Sequence, residues 1–167
     1  MKQKDIDLLA AIGERLSESG IAARPAEIDG IIVLELEGRA ESEDKEFDCT
    51  VTICHPSEDT TAVQLLVSLF YQLDEEKAKA AASLLPEMNS FLEIGSFGCL
   101  VEGGYLYFSH SFFTDGLSED SVLRCFAAYL EAVTLTALKG KKLLMPVIKG
   151  DITPEEADKD ELRIVQF

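Results

Sequence analysis

Between Thr60 and Leu73, Val63, Leu65, Val67, Leu69 and Tyr71 occupy every second position. That spacing puts five apolar side chains on one face of an extended strand and scatters them around a helix, so it predicts a long strand with a buried face. The other face is mixed, with Gln64 and Ser68 beside Leu66 and Phe70. Two further runs share the rhythm. Ile32, Leu34 and Leu36 alternate with Glu35 and Glu37, and Phe47, Cys49, Val51 and Ile53 alternate with Asp48, Thr50 and Thr52. Both predict half-exposed strands, joined by a polar connection over Arg39 to Glu46, with Pro56 expected to stop the second.

The remaining segments punctuate these strands with helices. Ile6, Leu9, Ile12, Gly13 and Leu16 recur at three- and four-residue steps before Gly20, predicting a helix from about Lys4 to Ser19. Asp74, followed by Glu75 and Glu76, has the character of a helix N-cap, and Lys77 to Asn89 carries helical periodicity. Pro86 predicts a kink or break near Ser83 to Leu85, because proline removes a hydrogen bond and crowds the preceding turn. Ser96 to Glu102, Gly103-Gly104, and Tyr105 to Phe113 read as a β-hairpin turning at the paired glycines. Ser118 caps a last helix bearing Val122, Phe126, Leu130, Val133 and Ala137, with Gly140 expected to end it. Lys139, Lys141 and Lys142 then fall where that helix would present unpaired carbonyls.

This order predicts an α+β fold, α-β-β-β-α-β-β-α, with a five-stranded antiparallel sheet and helices packed mainly on one face. Residues 1–140 form the expected single domain. Residues 141–167 form a tail in which Leu143 to Ile148 precede a short capped helix at Thr153-Pro154-Glu155-Glu156.

Fifteen Lys and Arg against 31 Asp and Glu give a formal charge of −16. Such a chain repels phosphate backbones and anionic lipid within the screening length, so neither nucleic acid nor a membrane surface is expected as a partner. Glu35 to Asp48 and Asp151 to Glu161 are the densest acidic runs and read as solvated surface. No uninterrupted apolar stretch reaches the ~18 residues of a bilayer span, and the first residues lead into an amphipathic segment, so the expected location is the cytoplasm. Cys49, Cys54, Cys99 and Cys125 lack paired spacing and read as buried free thiols rather than as disulfide or zinc ligands.

Candidate chemistry is sparse. His55 and His110 are the two histidines. His110 lies between Ser109 and Ser111 with Asp115 nearby, which supplies the residue types of a catalytic triad. Neighbours on a strand point to opposite faces, however, so no catalytic residue, cofactor or metal is expected. The glycines at 95, 98, 103 and 104 fall within the hairpin rather than between a strand and a helix, as a phosphate loop requires. With the Val63 and Leu106 series turned inward, Leu66, Phe70, Leu100, Tyr105 and Tyr107 face outward as an apolar patch suited to another protein. The competing reading is that the register differs or that the C-terminal tail covers the patch. A second functional reading is a small-molecule carrier with Phe91, Phe97, Phe108 and Phe126 lining a pocket, against which stands plain core packing.

Leu84-Leu85-Pro86-Glu87-Met88-Asn89, then Gly95-Ser96-Phe97, Gly103-Gly104 and Tyr105-Leu106-Tyr107-Phe108 resemble the signature region of the YbjN-type domains, which share the fold of type III secretion chaperones. The resemblance spans about Asp74 to Gly140, with Asn89, Gly95, Phe97 and Ser118 to Asp120 at matching positions. Pro86 and the acidic tail depart from the pattern. The resemblance implies a non-enzymatic, chaperone-like or regulatory protein, often a homodimer, that engages other proteins through apolar surface.

Overall fold

A computed structural model describes residues 2–39 and 46–162. The expected polar connection over Arg39 to Glu46 therefore lies, at 40–45, outside the described residues. The chain is α+β, with helices α1 (Gln3–Glu18), α2 (Glu75–Asn89), α3 (Glu119–Lys149) and α4 (Lys159–Leu162). Its strands are β1 (Ala22–Ile28), β2 (Ile31–Arg39), β3 (Glu46–Ser57), β4 (Thr60–Phe70), β5 (Ser96–Leu100) and β6 (Tyr105–Phe113). They form one open sheet in the order β1-β2-β3-β4-β6-β5.

Six strands replace the expected five. The additional one is β1, whose Pro25 and three alanines weaken the strand signal. Its marker was the Asp29-Gly30 pair, which forms a two-residue hairpin loop with both residues at positive φ, 51° and 79°. Backbone of that hand matches the twist of an antiparallel pair. Ile28 then pairs with Ile31, Arg24 with Glu35, and Pro25 with Leu34. Counting back from the loop, Pro25 occupies a position whose missing N–H would point away from β2, where an edge strand tolerates proline.

Two compact units divide the chain, Met1–Leu66 with Ser111–Glu131 and Val67–His110 with Ala132–Phe167. In the first, α1 buries Leu9, Ile12 and Leu16, and the strands bury Val33, Leu34, Leu36, Cys49, Val51 and Val63. Gly20 ends α1 with φ 76°, and the Ile21 N–H reaches back to the Leu16 carbonyl while that of Gly20 reaches Ser17. Those two bonds satisfy carbonyls the helix would otherwise leave open. β3 runs through Pro56 to Ser57 rather than stopping at the proline.

In the second unit, Asp74 caps α2 by accepting the Lys77 N–H at 2.9 Å. The helix then continues through Pro86 to Asn89 without the expected break. Met88, Ala78 and Ala81 are fully enclosed on its inner side. At its end the Asn89 amide donates to the Phe97 carbonyl at 2.9 Å and accepts the Phe97 N–H at 2.8 Å. A side-chain amide thus pairs with the outer edge of β5 as a further strand would.

Phe97 faces Phe108 across the β5–β6 pair, ring centroids 4.8 Å apart. Both are buried, and burying each is worth about 1.5–3 kcal/mol. Gly140 lies against the Phe97 ring, which the first atom of any side chain there would overlap. This explains why Gly140 does not end α3 as expected: it is a notch within the helix. The stop is Gly150, with φ 78°, where the Asp151 and Gly150 N–H groups bond to Pro146 and Val147. Lys139, Lys141 and Lys142 are consequently mid-helix. Leu144, Val147 and Ile148, expected in a separate tail, are buried residues of α3. The short helix expected at Thr153 is a turn, and α4 begins at Lys159. By length and composition α3 is apolar enough to cross a membrane; its Val122, Phe126, Leu130, Val133 and Ala137 are buried in the protein.

Replacing Asn89 with Ala is expected to cost about 2 kcal/mol, since two part-buried backbone groups lose their partner. Gly104→Ala is expected to cost about 1–3 kcal/mol or more, because Gly104 sits at φ 58° with its Cα against the Leu73 backbone. Urea midpoints at constant slope check both.

Candidate functional site

The β5–β6 hairpin displays opposite characters on its two faces. Leu106 and Phe108 point inward and are fully buried, so Tyr105 and Tyr107 emerge on the other side, each half-buried. Gly98 is the cross-strand partner of Tyr107, and the Tyr107 ring lies across it where a side chain would otherwise stand. Tyr105 stacks on Tyr107 with centroids 5.5 Å apart and planes at 28°. Its hydroxyl meets Ser68 Oγ at 2.9 Å.

Tyr71 extends the stack, 5.3 Å from Tyr105 with planes at 20°. The two-residue alternation placed Tyr71 inward with Leu69 and Phe70 outward. In the structure Val67, Ser68 and Leu69 are all buried, the strand ends at Phe70, and Gln72 adopts φ 54°. The alternation therefore slips at the strand end, and Tyr71 joins the other tyrosines. Phe70 is half-buried, with Lys141 Nζ 5.6 Å above its ring centre. Leu100, the cross-strand partner of Tyr105, is 58% exposed and Tyr71 54%. Leu66, half-buried, belongs to the first unit. The site is thus a row of three stacked tyrosines flanked by Leu100, each stacked pair worth about 0.5–1.5 kcal/mol.

His55, Asp5 and Asp115 are engaged in hydrogen bonds elsewhere in the chain. His55, expected at the surface, has Nε2 3.0 Å from Asp5 Oδ2 and Nδ1 3.3 Å from the Thr60 carbonyl. Asp5 is 1% exposed and also accepts the Lys2 N–H at 2.9 Å. Burial pushes its pKa up, but the bonds from His55 and Lys2, with their charges, outweigh this and leave it below the ordinary value. The pair ties the first turn of α1 to the β3–β4 hairpin. His110 lies within β6, and burial lowers its pKa. Asp115 takes the Thr61 N–H at 2.8 Å.

Burial raises the pKa of Cys49 to about 12, against a bond from the Leu66 backbone that lowers it, so this thiol stays protonated. Cys54 and Cys99 are raised likewise, and their thiols point at the Ala62 and Ala78 carbonyls. Among the described residues no three His, Cys, Asp or Glu side chains are grouped to hold a metal ion. Phe97 and Phe108, named as pocket lining, are packed on one another.

Because the folded pKa of Asp5 is depressed, its contribution is complete above the unfolded value near 3.9 and is lost as pH falls through the lower folded value. Asp5→Asn is therefore expected to lower stability by about 1–3 kcal/mol at neutral pH. The gap to the parent should narrow below about pH 4, as urea titrations across that range would read. A gap of constant size would show that the carboxylate's charge contributes nothing. A scan against protein-family models found no match to this chain, and a search of curated proteins found none.

Proposed function

We propose that this chain is a non-enzymatic protein-binding domain, chaperone-like or regulatory, that holds a partner protein on its tyrosine row. One observation carries the reading: Tyr71 and Leu100 stand 54% and 58% exposed beside half-buried Tyr105 and Tyr107. Rigid aromatic side chains lose little conformational entropy when a partner covers them, and they are enriched at the centres of interfaces. The resemblance to YbjN-type domains supports the same class of function and adds homodimer formation to the proposal.

A Tyr71→Asp, Leu100→Asp double variant tests it, because both side chains are exposed enough to change without opening the core. Tagged parent and variant are captured from their own cells, with native mass and urea midpoint measured alongside. The expected result is a defined set of proteins retained by the parent and lost at least tenfold from the variant, at an unchanged midpoint. Equal retention by a folded variant would show that this surface is not the binding face.

A further inference from the structure

The stretch of chain that carries the stack is acidic, although Lys141 of α3 stands over Phe70 beside Tyr71. The segment from Val67 to His110 carries Asp74, Glu75, Glu76, Glu87, Glu93 and Glu102 against only Lys77 and Lys79. Both lysines are taken within α2, Lys77 by Asp74 at 3.0 Å and Lys79 by Glu75. Among the described residues, Glu76 and Glu102 have no side-chain hydrogen bond or ion pair. The backbone brings these two to one end of the unit. Leu73 N–H donates to the Gly104 carbonyl at 3.0 Å, and a side chain at Gly104 would overlap the Leu73 backbone. Tyr71 lies two residues before Leu73 and Glu76 three after it, while Glu102 lies two before Gly104 and Tyr105 one after it. The backbone contact thus brings the chain positions of exposed Tyr71 and of both carboxylates to one end of the unit.

On the reading proposed above, we infer that the partner presents an arginine-bearing basic segment, with a guanidinium stacked on the exposed tyrosine row and paired with Glu76 or Glu102. A planar cation satisfies both features, since it stacks on an aromatic face while its N–H groups bond to carboxylates. Lys141 above Phe70 already shows the same ring-to-cation contact at this end of β4. A second copy of the chain is the poorer occupant, because it would bring another charge of −16 to an acidic face.

The probes are three fluorescein-labelled peptides of roughly twelve residues, identical except for arginine, lysine or citrulline at the same spaced positions. The full chain is titrated against each by anisotropy at about 50 and about 300 mM salt. The arginine peptide is expected to bind several-fold tighter than the lysine peptide and far tighter than the citrulline one. Tyr71→Ala, which leaves net charge unchanged, is expected to weaken it about three- to tenfold. Glu76→Gln with Glu102→Gln is expected to weaken it, whereas Glu155→Gln with Glu156→Gln, the same charge change placed in the turn before α4, is not. Binding insensitive to Tyr71→Ala, or equally weakened by both glutamine pairs, would reduce the effect to bulk charge attraction and overturn the inference. A dimer that Tyr71→Ala dissociates would also overturn it, naming a second copy as the occupant. Should the cellular partner set depend on Tyr71 and Leu100 while no arginine peptide binds, the binding role stands and only the chemistry assigned to the partner falls.

Discussion

The exchange between aromatic ring and glycine governs the Val67–His110 part of the molecule. Phe97 pairs with Phe108 on the covered face of the β5–β6 hairpin, and Gly98 pairs with Tyr107 on the other. In one direction both rings fill the core and that of Phe97 rests against Gly140 of α3; in the other a ring lies across a bare backbone. Because side chains alternate along a strand, a single register fixes both outcomes at once. Slipping that register by one residue would turn the tyrosines inward, where their hydroxyls need partners, and expose the phenylalanines. The tyrosine-bearing face is therefore a by-product of the same pairing that closes the core.

Much of this architecture was legible from periodicity alone. The strands around Leu34, Val51 and Val63, the caps at Asp74 and Ser118, and the inward run of Leu106 and Phe108 follow from spacing that burial enforces. What escaped depends on context that spacing does not carry. β1 was hidden because Pro25 argues against a strand unless that strand lies at an edge, and edge position is a property of the whole sheet. Gly140 was read as a helix stop because glycine commonly is one; here it makes room for a ring that comes from about forty residues earlier in the chain.

The tyrosine row was partly visible in the same way. Tyr105 and Tyr107 lie two apart on a strand whose inward face was evident, so their shared direction followed. Tyr71 was assigned to the wrong side because strict alternation was carried past the strand's last residue, where Gln72 turns into the left-handed region. Phe70 lies beneath a lysine and Tyr71 in the stack. Nothing in the spacing announces such a slip; it comes from how the chain must turn to reach the Asp74 cap.

Both outer strands of the sheet carry devices that deny their free backbone to a visitor. On β1, Pro25 removes a donor from the open side; on β5, the Asn89 amide occupies the matching donor and acceptor of Phe97. Unsatisfied strand edges invite neighbouring chains to extend a sheet, and long tracts of them lead toward fibres. With these positions closed, another chain could not extend an uninterrupted ladder of main-chain bonds along either edge.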